Sequence, residues 1–110
     1  DILCSSATRY VLDSIGNVGW GTSIAIGADG LGVIGYKDVT NLYMKVAHCN
    51  YIHCNSATIS TLDASGTVYQ EKASVAIGVD GLALFSYQDF SHLKVAHCSN
   101  RLCLPINWEH

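Results

Sequence analysis

The chain has 110 residues, of which 49% are hydrophobic and only 14% charged, with a formal net charge of −3. That length bounds it to one domain with a modest core, and so few charges leave more apolar surface than a chain this small covers alone, which favours self-association. The acidic balance without a basic run argues against a nucleic-acid partner, and no apolar run is long enough to cross a bilayer as a helix, so neither nucleic acid nor membrane is expected as a partner.

Residues 7–12 read as a strand, followed by a turn or loop start at Asp13-Ser14-Ile15-Gly16. Residues 23–28 read as the next. They alternate small Ser23, Ala25 and Gly27 with Ile24 and Ile26, so one face admits close backbone approach and the other fills space. Asp29-Gly30 is a hairpin signal leading into a strand at 31–37, and Val33 and Ile34 make that strand apolar on both faces, as in a sheet with neighbours on each side. Residues 42–49 form a third strand of the group. The pattern then restarts with a strand at 57–62, a turn at Asp63-Ala64-Ser65-Gly66, and strands at 74–79, 82–88 and 92–98, the first two joined by Asp80-Gly81. Helical periodicity is absent, and glycines interrupt the windows long enough to hold a helix.

The restart is a duplication. Lys45-Val46-Ala47-His48-Cys49 returns as Lys94-Val95-Ala96-His97-Cys98, and Ser6-Ala7-Thr8 returns as Ser56-Ala57-Thr58. Ala25-Ile26-Gly27-x-Asp29-Gly30-Leu31 returns as Ala76-Ile77-Gly78-x-Asp80-Gly81-Leu82. A strand-built period of roughly 40–50 residues points to a propeller-like array, in which one repeat cannot bury its own apolar faces. The chain is therefore a single repeat domain, 1–110, with repeats at 4–53 and 54–103 and a tail at 104–110.

The string Ser-x-Ala-Ile-Gly-x-Asp-Gly-Leu-x-x-x-x-Tyr-x-Asp, followed by Lys-Val-Ala-His-Cys, resembles bacterial and metagenomic β-propeller repeats. The resemblance covers nearly the whole chain, twice. It implies an all-β fold of two four-stranded blades and says almost nothing about a ligand. The chain departs from the pattern at Gly32 and Ala83, where proline is frequent, at Gly35 against Ser86 in the second copy, and in the shorter turn before His92-Leu93. In such repeats the outer strand ahead of a blade's inner strands belongs to the previous blade. Residues 5–12 then have no blade in their own chain, and the second blade lacks an outer strand. Residues 104–110 align with the missing strand, but Pro105 removes a ladder donor there. The expectation is a head-to-tail homo-oligomer in which residues 5–12 complete the second blade of a neighbour and the ring closes. A six-bladed trimer is favoured over an eight-bladed tetramer. The alternative is a piece cut from a longer array.

Five cysteines comprise Cys4 and two Cys-x4-Cys pairs, Cys49/Cys54 and Cys98/Cys103. Local disulfides would staple the link between third and outer strands and place the chain in an oxidising compartment, secreted or periplasmic. Cys4 aligns with Cys54 and is left unpaired or pairs between subunits, where it would compete with Cys103 for Cys98. His48, Cys49, His53 and Cys54 are also zinc-type ligands, but neighbours on a strand point to opposite faces and Leu102 replaces His53 in the second copy, so no metal or other cofactor is expected. His48 and His97 read as hydrogen-bonded strand residues, and Asp29 and Asp80 as turn residues.

The loops at 13–21 and 63–72, with those at 37–41 and 88–92, are expected on one face. There Trp20, Asn41, Tyr69 and Gln88 suit a glycan or small polar ligand, packing of Trp20 between blades being an equal alternative. Asp38 and Asp89 either cap the next turn or present carboxylates to that ligand. No catalytic constellation stands out, so the leading expectation is a non-enzymatic binding or assembly module. A purely structural self-assembling unit and an enzyme with a site between subunits stand as alternatives.

Overall fold

The computed structural model describes residues 6–68 and 72–104. Cys4, Tyr69, Pro105 and the tail beyond Leu104 lie outside the described residues. Seven strands follow in order: β1 (Val18–Ile26), β2 (Gly32–Asp38), β3 (Tyr43–Cys49), β4 (Ala57–Asp63), β5 (Ser74–Ile77), β6 (Ala83–Asp89) and β7 (His92–His97). There is no helix among the described residues. The strands form two antiparallel sheets, β1-β2-β3-β4 and β5-β6-β7.

Each hairpin expected at Asp-Gly forms, and for the expected reason. Gly30 and Gly81 sit at φ 81° and 78°, a region that disfavours other residues. The Asp29 carboxylate accepts the Leu31 N–H at 3.0 Å, and Asp80 accepts the Leu82 N–H at 3.0 Å. The two cysteine pairs are bonded, Cys49–Cys54 and Cys98–Cys103, each with Cα atoms 4.8 Å apart. The sulfurs of Cys49 and Cys54 are thereby withdrawn from the zinc alternative.

The expected strand at 7–12 does not form: residues 7–14 carry no ladder pairing. Its sequence resembles that of β4, but a strand exists only with a partner, and the described residues offer none. β1 begins five residues before the expected start. Register shifts at Val18/Trp20 and Trp20/Ser23 mark irregularities of the bulge type, with Gly19 at φ 96° and Gly21 at φ 58°. Trp20 thus lies on a strand, opposite Lys37, rather than in a loop.

The sheets pack face to face. Val33, Met44 and Val46 of the first share one core with Ala83, Phe85 and Tyr87 of the second. Gly35 makes this approach possible: a Cβ there would lie 2.8 Å from Phe85 Cε2 and 2.9 Å from Cδ2. Val68, between the sheets in sequence, is fully buried in the same core, and its N–H donates to the Leu42 carbonyl at 3.1 Å. β2 is buried on both faces, as its composition predicts. β6 is not: it alternates, because one face of the second sheet is uncovered.

Candidate interaction surface

Register assigns every strand residue to a face. The front of the first sheet carries Ala25, Val33, Gly35, Val46 and His48; its back carries Ile24, Ile34 and Ala47, with Ile26 and Tyr36. Under the repeat, the front of the second sheet carries Ala76, Leu84, Ser86, Val95 and His97. Its back carries Val75, Ile77, Phe85, Tyr87 and Ala96. The front of the first sheet is packed on the back of the second. The front of the second sheet stays uncovered, and the back of the first is covered only in part, residues 10–13 lying over Tyr36 and Ala47, which are 4% and 2% exposed, while the β1 edge stays open.

Both faces are apolar where they stay open. On the first sheet Ile24 and Ile26 are 63% and 64% exposed; on the second Leu93 is 81% and Val95 63% exposed. Ile24 and Ile26, expected to fill space, therefore stay largely exposed within the chain. A cleft of about 330 Å³ lies on the back of the first sheet, lined by Tyr10, Leu12, Ile34, Tyr36 and Ala47 among others. A larger one, about 880 Å³, lies beside the front of the second sheet, against Ser74, Ser86, Gln88, Ser91 and Leu93.

Two aspartates tie segments across the sheets in the same way. Tyr87 donates its hydroxyl to Asp63 Oδ2 at 2.7 Å, and Lys94 Nζ reaches the same oxygen at 2.9 Å. One repeat earlier, Tyr36 donates to Asp13 Oδ2 at 2.7 Å with Lys45 Nζ at 3.2 Å. Asp63 ends β4, so this tie holds the outer strand of one sheet over the back of the next. Asp13 holds residues 10–13 over the back of the first sheet in the same relation. Burial pushes the Asp63 carboxyl up, but hydrogen bonds from Tyr87, Ser65 and Lys94 outweigh it and hold the group well below the usual carboxylate range. Asp13 is lowered too, burial being outweighed by Tyr36, the Ile15 N–H and Lys45. Burial and the facing Asp63 push the Tyr87 hydroxyl up to about 12.

The histidines are paired with the hairpin aspartates, His48 Nε2 to Asp29 Oδ2 at 2.8 Å and His97 Nε2 to Asp80 Oδ2 at 2.7 Å. The sequence signal was present, since Asp-Gly and Ala-His-Cys recur together in both copies, but only the β2–β3 and β6–β7 pairings bring them into reach. The His48 side chain is 4% exposed under the second sheet, while that of His97, on the uncovered front, is 51% exposed.

The expected ligand residues are placed as follows. Asp38 accepts the backbone and side-chain N–H groups of Asn41 at 3.2 and 2.9 Å, which closes the β2–β3 turn. Asp89 is bonded to Lys94 at 2.9 Å and to Thr67. The Trp20 indole donates to Asn17 Oδ1 at 3.2 Å. Gln88 lines the larger cleft, which includes neither Trp20, Asp38, Asn41 nor Asp89. Tyr69 is outside the described residues. No group of three or more metal-ligating side chains occurs among the described residues.

The fold and its uncovered surfaces thus define an all-β protein of two stacked antiparallel sheets, each stapled by a local disulfide. The disulfides fit an oxidising compartment such as a secreted or periplasmic one, and no helix among the described residues is long and apolar enough to cross a membrane. No protein-family model matches the chain, and neither a curated protein nor a solved structure matches it.

Proposed function

We propose that the protein is a non-enzymatic assembly module whose two sheets are blades of a propeller-like ring completed by further copies. One observation carries this reading. The front of the second sheet, left open, and the back of the first, covered only by residues 10–13, are the repeat counterparts of the two faces that pack inside the chain. The front of the second sheet in one copy therefore takes the back of the first sheet in the next, by the packing already present between the sheets. Residues 7–13 support it. The Asp13 tie holds their end where β4 stands relative to the second sheet, with the ladder groups of 7–12 unspent. In the neighbour, β7 has no fourth strand beside it among the described residues. Repeat equivalence with the β3–β4 register sets Asp13 opposite Leu93, Arg9 opposite Ala96 and Ala7 opposite Cys98.

Gln88 and the larger cleft then fall inside the contact between copies, where the Val18 region of the next copy sits as Val68 sits on the first sheet. Head-to-tail contacts close when the rotation permits, and three chains make six blades. Sedimentation equilibrium over a range of concentrations is the test. The expected result is a single species of three chains. A folded chain that remains monomeric throughout overturns the proposal.

A further inference from the structure

The contact inside the chain and the contact between copies use the same faces but not the same side chains. Inside the chain, Phe85 of the second back lies on Gly35 of the first front, so closely that any Cβ at position 35 collides with the ring. The repeat counterparts of this pair are Ile34 on the first back and Ser86 on the second front. One member is smaller by three carbons and the other larger by a hydroxymethyl group. In the reading of head-to-tail assembly, on which this inference rests, Ile34 of one copy meets Ser86 of the next. The reduction on one side makes room for the increase on the other.

We infer that Ile34 and Ser86 form a size-matched lock between copies, the counterpart of the Phe85–Gly35 contact inside the chain. A back carrying Phe85 fits a front carrying Gly35 and is rejected by Ser86, whose Cβ would occupy the place that the ring denies to Gly35. A front carrying Ser86 accepts the shorter Ile34. The second back is already covered inside its own chain, so the match acts on the faces that remain open, and each contact between copies joins a second front to a first back. The partner that this surface selects is the first sheet of a second copy.

The lock is tested by exchanging its halves. Ile34→Phe should weaken association about ten- to a hundredfold, because a ring then meets Ser86. Ser86→Gly added to Ile34→Phe recreates the Phe–Gly pair of the internal contact and should restore association. Ser86→Leu blocks the same place from the other side. Since Ser86 lies on the uncovered front, this variant keeps the internal core and should be folded but dissociated. Sedimentation velocity reads the mass of each, and near-ultraviolet circular dichroism checks the fold. A wild-type chain that assembles alongside equally well assembled Ile34→Phe and Ser86→Leu variants overturns the lock and leaves assembly standing. A folded double variant that stays dissociated also overturns the lock. A wild-type chain that never assembles overturns both.

Discussion

At the scale of single residues, Gly35 decides whether the two sheets can meet. Its missing side chain lets the Phe85 ring rest against β2, and Met44 Cε lies 3.0 Å from the position a Cβ would take. Ring and methyl are both held in a filled core, so neither can withdraw without opening a void elsewhere. Gly35→Ala is expected to lower stability by about 1–3 kcal/mol through overpacking, measured as a shift of the urea midpoint at constant slope. An unchanged midpoint would mean that the ring has room to move. In the sequence, Gly35 was visible only as a departure from its own repeat, with serine in the second copy. What it faces depends on which sheet covers it, and strand periodicity carries no such information. The aspartates of the Asp-Gly turns were the opposite case. Their turn-closing bonds to Leu31 and Leu82 are local and turn chemistry predicted them, whereas their bonds to His48 and His97 depend on the strand pairings.

At the scale of elements, hairpin strands were legible because their partners are near in sequence and the turn between them has its own signal. β1 was legible only in its second half: Gly19 and Gly21, which permit its irregular start, look like loop residues in sequence. Residues 7–12 show the reverse, a strand-like sequence without a partner and therefore without a strand. The Asp63 tie shows how an outer strand is fixed to the next sheet, and it has a pH signature. The Asp63 carboxyl lies below its ordinary 3.8 in the folded chain. A depressed value means the tie contributes fully above about pH 4 and is lost as the pH falls through the folded value. Asp63→Asn should therefore cost about 1–3 kcal/mol at pH 7, and the difference from wild type should narrow in strong acid. Denaturation at pH 7 and pH 2 measures both quantities. A gap that stays constant or widens on acidification would place the stabilisation elsewhere.

At the scale of the whole molecule, the distribution of burial is the informative quantity. Val46 is fully buried, yet its repeat counterpart Val95 is 63% exposed in an otherwise similar strand. Intrinsic preference cannot account for the difference, since the residues and their neighbours are alike. What differs is that a sheet lies over one and not over the other. If assembly supplies the missing sheet, Val95→Asp puts a carboxylate into a contact that excludes water, with a penalty of several kcal/mol unless it finds a partner. Within a single chain the same substitution sits on an open face and costs only the lower strand preference of aspartate, about 1 kcal/mol or less. The two effects separate by concentration. The wild-type melting temperature should rise with protein concentration because association stabilises the fold, while that of Val95→Asp should stay flat and close to the wild-type value at high dilution. Equal concentration dependence in the two proteins would show that the front of the second sheet is not where copies meet.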